Sequence, residues 1–160
     1  MIIIIMGVSG AGKTTVAKAL SSATGAAFFE GDDFHPSPNV EKMRRGVPLE
    51  EADRAAWLAS LRNIVEEWAP RSELAVLACS ALTRRSRAQL HAGKDGVGLV
   101  FLHGPPEILE VRMRARRHFM PPTLLDSQLA TLEPPEAALV LDIREPVDGL
   151  VRRIREEWEL

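Results

Sequence analysis

The sequence predicts an α/β domain with a mostly parallel sheet, on three observations. Short apolar runs, which are typical of buried strands, alternate with segments whose apolar residues recur at helical spacing. A glycine-rich stretch separates the first apolar run from the first helical segment. The 160 residues contain no internal repeat and no low-complexity linker, so residues 1–160 are expected to form a single domain.

Composition narrows the class of protein. Hydrophobic residues make up 46% and charged residues 26% of the chain, as in a folded globular protein. The formal net charge of −2 argues against a nucleic-acid partner. A single cysteine, Cys79, excludes an internal disulfide framework and fits a reducing compartment. No apolar run reaches the length of a membrane span, and the first one lacks the basic flank of a signal peptide, so we expect a cytoplasmic protein without a membrane partner.

The first strand and the first helix enclose a phosphate-binding motif. Met1–Met6 contains four consecutive isoleucines and predicts a buried strand, and Gly7–Thr14 matches the pattern Gly, four residues, Gly-Lys-Ser/Thr. The glycines let successive N–H groups face one anion, and the following helix, which ends near Gly25, adds its positive dipole end. We expect Lys13 on the β- and γ-phosphates and the Thr14 hydroxyl on Mg²⁺. The residues expected at the nucleotide phosphates are Gly7, Val8, Ser9, Gly10, Ala11, Gly12, Lys13, Thr14 and Thr15.

A second strand is predicted at residues 26–29, and acidic residues follow it. The polar cluster 30–36 comes at the strand's carboxyl end, where open α/β sheets bind ligands. A hydroxyl that attacks a phosphoryl group needs a carboxylate to accept or orient its proton, so Asp32 and Asp33 are candidates for acid–base and metal work. The alternative is an ordinary acidic turn. The third strand ends in Cys79, so the usual partner carboxylate is missing there.

Apolar spacing and proline or glycine positions predict the other elements. A short helix is expected from Asn39 to Arg45, and a longer one begins with Asp53 as its N-cap and carries Trp57 and Trp68 on an apolar face assigned to the core. The further strands are predicted at residues 74–79, 97–102 and 138–141. The further helices are predicted after Pro106, after Pro122 and over residues 147–158.

A dense basic stretch, residues 112–118, contains no interleaved acidic residue. Phosphoryl transfer needs cations on the migrating group and exclusion of water, and an arginine-rich mobile lid over about residues 112–133 would supply both. We therefore expect Arg112 and Arg116 at the nucleotide and Arg117 as a catalytic cation. The alternative is a solvated helix face.

Three segments, in order over essentially the whole chain, resemble the gluconokinase family of phosphate-loop kinases. The most specific comprises Gly31-Asp32-Asp33-Phe34-His35-Pro36, Asn39, Lys42-Met43, Gly46, Pro48-Leu49, Asp53-Arg54 and Trp57-Leu58. The second comprises Cys79-Ser80-Ala81-Leu82 and Arg87. The third comprises His118-Phe119-Met120-Pro121, Leu124-Leu125, Ser127-Gln128 and Thr131-Leu132-Glu133.

The resemblance implies transfer of the γ-phosphate of ATP to the 6-hydroxyl of D-gluconate, with Mg²⁺, giving 6-phosphogluconate and ADP. It also implies a three-layer phosphate-loop kinase fold, with a five-stranded parallel sheet flanked by helices and a mobile lid, and commonly a homodimer. Asp32 is expected on the attacking hydroxyl and at the metal. The residues expected at the acceptor are Asp32, Asp33, His35, Arg54, Ser80, Arg87 and His118.

The chain departs from the family pattern at several positions. Thr83 stands in place of a lysine, Ser86-Arg87-Ala88 in place of a Tyr-Arg-Asp run, Ala56 in place of a proline, and Arg117 in place of a glycine. These departures concern turnover and lid motion more than substrate class. The rival interpretations are another small-metabolite kinase such as a shikimate kinase, a nucleoside monophosphate kinase, or a nucleotide-binding regulatory protein without turnover.

Overall fold

The computed structural model of the chain describes residues 1–115 and 124–160. Within these ranges, five strands form one fully parallel sheet with the order β2-β3-β1-β4-β5. The strands are β1 (Ile2–Met6), β2 (Ala27–Glu30), β3 (Ala75–Ala78), β4 (Val97–His103) and β5 (Leu139–Asp142). The predicted α/β class and parallel sheet are confirmed.

Helices connect these strands and cover both faces of the sheet. They are α1 (Lys13–Thr24), α2 (Ser37–Arg44), α3 (Glu51–Trp68), α4 (Arg84–Gln89), α5 (Pro106–Ala115), α6 (Leu124–Thr131) and α7 (Val147–Glu157). A 3₁₀ turn, Gly31–Phe34, follows β2. None of the helices in the described ranges is long and apolar enough to cross a membrane.

Two helix predictions are corrected by the structure. Asp53 is not the N-cap of α3; Glu50 is, and Asp53 completes a capping box by accepting a hydrogen bond from the Glu50 N–H at 2.9 Å. Helix α4 was not predicted, because its six residues are mostly polar and carry no apolar period. Thr83 caps it: its side-chain oxygen accepts from the N–H of Ser86 at 3.1 Å.

Strand β1 lies at the centre of the core and is buried on both faces. Ile3 and Ile5 pack among residues of α1 and α7, whereas Ile2, Ile4 and Met6 pack among residues of α3. This division follows from the alternation of side chains along a strand. Trp57 is 2% exposed and belongs to the second cluster, as predicted, with Trp68 packed at its margin.

Parallel pairing aligns the ends of the three strands that carry the predicted motifs. Ala78 of β3 pairs with Glu30 of β2 on one side and with Ile5 of β1 on the other. The phosphate-loop motif, the acidic turn and the Ser80 segment therefore leave the sheet side by side at one edge.

Gly31 is expected to tolerate no side chain, because it packs directly on β3. A Cβ added there would lie 2.6 Å from the Ala78 carbonyl oxygen and 2.8 Å from Cys79 Cβ. We expect Gly31→Ala to cost about 1–3 kcal/mol of unfolding free energy, which lowers the melting temperature by roughly 2–12 °C. Gly149→Ala is the control: its new Cβ would approach nothing closer than 3.6 Å, so it should leave the melting temperature unchanged or raised. Equal melting temperatures for the two variants would contradict this account.

Candidate active site

The loop between β1 and α1 has the backbone that an anion site requires. Gly7, Gly10 and Gly12 have φ values of 151°, 82° and 93°. A Cβ on Gly7 would lie 2.6 Å from the Leu102 carbonyl oxygen, so the loop is seated directly against β4. Helix α1 begins at Lys13, whose Nζ donates to the Val8 carbonyl at 3.1 Å. The N-terminal end of α1 therefore opens into a glycine-lined loop, as the motif predicts.

Glu30, the last residue of β2, contacts the loop and was missed in the sequence. The Thr14 hydroxyl donates to Glu30 Oε2 at 2.6 Å. Burial raises the pKa of the Glu30 carboxyl; the Thr14 hydrogen bond opposes that shift, and the negative charge of Asp32 adds to it. The end of β3 carries no carboxylate, and the carboxylate beside Thr14 comes instead from the end of β2. Its available signal was the position of Glu30 immediately before Gly31-Asp32.

A cavity beside the loop brings together six of the predicted site residues. They are Ser9, Lys13, Asp32, His35, Arg54 and Ser80. The cavity thus joins a phosphate-loop lysine to a carboxylate and an arginine. Such a combination suits a negatively charged phosphoryl donor and a polar or anionic acceptor.

Asp33 and Arg87 do not line this cavity. Asp33 is exposed, whereas its neighbour Asp32 faces the cavity. Arg87 is 7% exposed, and its Nη1 donates to the carbonyls of Ala81 and Leu82 at 3.1 and 3.0 Å. Arg87 therefore supports the loop before α4, and its predicted contact with the acceptor stays a prediction. Burial lowers the pKa of its guanidinium.

His35 stands in the cavity wall against Trp57. The two rings are stacked, with centroids 4.5 Å apart and an interplanar angle of 11°. Trp57 Nε1 also donates to the Gly31 carbonyl at 2.7 Å, which ties α3 to the turn that carries Asp32. Burial lowers the pKa of His35, the negative charge of Asp32 opposes that shift, and the positive charge of Arg54 adds to it.

Arg54 reaches the cavity from the first turn of α3. Its Nη2 donates to the Leu49 carbonyl at 2.6 Å, so the guanidinium is held by the extended segment before the helix. It is half-buried, and together with Thr83 and Ser86 it lines both this cavity and a neighbouring one. This is a suitable position for a planar cation that binds a carboxylate.

Helix α6 covers part of the cavity. Leu124, Ser127, Gln128 and Thr131 line it, and the N–H of Ser9 donates to Gln128 Oε1 at 2.7 Å. Gln128 thus lines the candidate site, in addition to its place in the third family segment. The predicted motion of a lid stays a prediction.

Of the predicted lid cations, Arg112 lies beside the phosphate loop. Its Nη2 donates to the Ile143 carbonyl at 2.8 Å, and a Cβ built on Gly12 would lie 3.9 Å from its Nη1. Arg116, Arg117 and His118 lie outside the described residues.

The fold of this chain is shared with solved kinase structures of low sequence identity. A shikimate kinase from Aquifex aeolicus, 19% identical, aligns with a TM-score of 0.63 over 99% of this chain and 96% of its own. A likeness at this identity concerns the fold alone, which is that of the phosphate-loop kinases.

Closer matches identify the family. A family model described as "AAA domain" matches residues 2–135. A gluconokinase from Gluconobacter oxydans is 48% identical over 83% of this chain and 75% of its own length. A probable gluconokinase from Xenopus tropicalis is 42% identical over 98% and 93%. The crystal structure of a gluconokinase from Sinorhizobium meliloti is 41% identical, with a TM-score of 0.82, over 98% and 94%. The resemblance in the three sequence segments is confirmed, and the chain belongs to the gluconokinase family.

Proposed function

We propose that this chain is an ATP-dependent gluconokinase that phosphorylates the 6-hydroxyl of D-gluconate, forming 6-phosphogluconate and ADP. The observation that carries the proposal is the single cavity shared by Lys13, Asp32 and Arg54. A linear acceptor with a carboxylate at one end and a hydroxyl at the other can place its carboxylate at Arg54 and its hydroxyl at Asp32. Membership of the gluconokinase family narrows the acceptor to gluconate.

The donor side of the site binds the phosphates of ATP. The N–H groups of the loop Gly7–Thr14 surround the β-phosphate, and Lys13 balances the charge that develops between the β- and γ-phosphates. Arg112 lies beside Gly12 and adds positive charge to the nucleotide side. Arg116, Arg117 and His118 are proposed to act from the lid.

The residues around Thr14 fit a magnesium ion. Mg²⁺ prefers oxygen ligands and usually takes one or two from protein and the others from phosphates and water. Thr14 Oγ1 and Glu30 Oε2, 2.6 Å apart, are such oxygens beside the phosphate loop. The described residues contain no cluster of three or more His, Cys, Asp or Glu side chains that would hold a metal unaided. When bound, the ion supplies positive charge to the phosphate oxygens.

The acceptor side positions the attacking hydroxyl. Asp32 accepts its proton while the hydroxyl oxygen bonds to the γ-phosphorus and the bond to the ADP oxygen breaks. Arg54 binds the carboxylate of gluconate through its planar fork, and Ser80 and His35 contact hydroxyl groups. Arg87 acts indirectly, by holding the carbonyls of Ala81 and Leu82.

The Thr83 departure has a structural role that is compatible with turnover. Thr83 begins α4 as its N-cap, and its hydroxyl also lies 2.8 Å from that of Ser86, so these two departures form one local contact.

A homodimer and a cytoplasmic location are proposed from the family resemblance and the cysteine usage. Burial raises the pKa of the single thiol, Cys79, to about 12, so it is unreactive near neutral pH.

The first test is which acceptor the enzyme phosphorylates. With Mg-ATP in excess, gluconate should be phosphorylated with a kcat/KM at least about 100-fold above that for glucose, shikimate or AMP, because those acceptors leave the arginine unpaired or misplace the hydroxyl. Coupled ADP release across this panel, with the product identified by NMR, measures it. Arg54→Met should weaken gluconate use far more than ATP binding, whereas Arg85→Met, at an exposed arginine, is the control. Equal rates on shikimate or AMP would overturn the proposal.

The two adjacent carboxylates provide an internally matched test. Asp32→Asn should lower kcat roughly 100-fold or more, because it removes the proton acceptor. Asp33→Asn should be nearly silent, since Asp33 is exposed and does not line the cavity. Both variants should bind ATP as the wild type does, measured by calorimetry. A damaging Asp33→Asn beside a mild Asp32→Asn would reverse the two roles.

Glu30→Gln separates charge from hydrogen bonding, because glutamine can still accept from the Thr14 hydroxyl. We expect kcat to fall at least about 10-fold and half-maximal activity to need more Mg²⁺. Near neutral pH and without nucleotide, the variant should melt at the same temperature or higher. Folding raises the pKa of the Glu30 carboxyl, so as pH rises the unfolded chain loses this proton before the folded chain does. Between the unfolded and the folded pKa, rising pH therefore lowers the stability of the wild type, and Glu30→Gln avoids this loss.

Glu41→Gln, an exposed α2 substitution, is the control for these measurements. An unchanged magnesium requirement in Glu30→Gln, with full activity, would remove Glu30 from the metal site.

A further inference from the structure

Asn39, which the mechanism above does not use, is a buried polar side chain behind the cavity. It lies on α2 and is 4% exposed. Its Nδ2 donates to the main-chain carbonyl of Asp53 at 2.7 Å. A carbonyl oxygen can only accept, so the amide atom that faces it must be the nitrogen. This contact fixes which way the Asn39 amide points.

The same amide nitrogen faces the ring of His35. Asn39 Nδ2 lies 3.4 Å from His35 Nδ1. An amide nitrogen carries two hydrogens and no available lone pair, so it can serve both the Asp53 carbonyl and the ring, but only as a donor. His35 Nδ1 must therefore present a lone pair. In a neutral imidazole the proton then resides on the other nitrogen, Nε2.

We propose that Asn39 is a positioning residue that holds His35 as its neutral Nε2–H tautomer, which makes His35 a hydrogen-bond donor to the acceptor hydroxyl beside Asp32. The use of that donor rests on the proposed function. The tautomer itself rests only on contacts within the chain.

The geometry on the cavity side suits a hydroxyl. His35 Nε2 lies 3.9 Å from Asp32 Oδ1, which is too far for a direct hydrogen bond. A hydroxyl oxygen between them can accept from Nε2–H and give its own hydrogen to Asp32. His35 and Asp32 together bind the hydroxyl through both its acceptor oxygen and its donor hydrogen. The proton of the attacking hydroxyl is therefore already directed at the carboxylate.

The surroundings of His35 hold the ring in this state. Stacking on Trp57 fixes the ring plane, and the contact with Asn39 selects the orientation in that plane that turns Nδ1 toward the amide. The charged groups nearby are Asp32 on the 3₁₀ turn, Arg54 and Asp53 on α3, Lys42 on α2 and Lys13 on α1. The Asp53 carboxylate is bonded by Lys42 Nζ at 2.7 and 2.8 Å, so it is neutralised beside the amide.

Nuclear magnetic resonance of the imidazole nitrogens tests the tautomer directly. The chain has four histidines, and His35→Gln assigns the relevant signals. In the full-length wild type, without nucleotide or gluconate and near neutral pH, the spectrum should show the Nε2–H form at His35. A ring protonated on Nδ1, or on both nitrogens, would overturn the proposal.

Two substitutions test the role of Asn39. Asn39→Asp replaces the donor with an acceptor and should move the His35 proton to Nδ1. Asn39→Ala removes the contact and should give a mixture of tautomers, which keeps the test valid if the aspartate variant does not fold. We expect kcat/KM for gluconate to fall roughly 10–100-fold, by analogy with the partners that orient metal-bound histidines, while the KM for ATP changes less than about two-fold.

Asn63→Asp, at an exposed position of α3, is the matched control and should change neither spectrum nor kinetics. A folded Asn39 variant with the wild-type tautomer, or with a changed tautomer and unchanged gluconate kinetics, would refute the positioning role. A wild-type Nε2–H ring without turnover of gluconate would instead refute the proposed function and leave the tautomer assignment supported.

Discussion

The parallel arrangement of all five strands is the constraint on which the candidate site depends. Because β1 lies between β3 and β4, and β2 lies beside β3, the ends of β2, β3 and β1 fall in one row. Each strand end contributes a different chemical group: an anion-binding loop after β1, two carboxylates at and after β2, and a serine after β3. An antiparallel neighbour would send its loop to the opposite edge. The groups proposed to bind the phosphoryl donor and the acceptor lie side by side because their strands run in the same direction, and not because of any single contact.

Much of this arrangement could be predicted from the sequence, because its signals are local. A strand, a complete glycine motif and a helix in succession leave few alternatives, and the position of Asp32 after a strand identifies the correct edge. Glu30 could not be assigned to Thr14, because that contact depends on the order of strands β2, β3 and β1, which is a tertiary fact. Without the family resemblance, Asp32 and Asp33 could not be separated either, since their different exposure arises from the 3₁₀ turn. The bonds of Arg87 to the carbonyls of Ala81 and Leu82 could not be predicted, because α4, which carries Arg87, has no apolar period.

Trp57 shows that core and site are not separate classes of residue. Its ring fills the interior beneath α3, as the helical spacing predicts, and its one polar atom holds the turn that carries Asp32. The face of the same ring orients His35. Buried indoles usually find a hydrogen-bond partner, and here that partner is the Gly31 carbonyl at the start of this turn. The packing of α3 and the geometry of the acceptor side are therefore coupled through one side chain.

The central place of β1 also has a consequence for how the chain is made. Its two sheet neighbours, β3 and β4, end at Ala78 and His103, so β1 is made well before either of its partners is complete. Until then its four isoleucines form an uncharged, β-branched segment, which is the kind that associates with other chains. The strand at the centre of the finished sheet is thus exposed to aggregation while its neighbours are being synthesised.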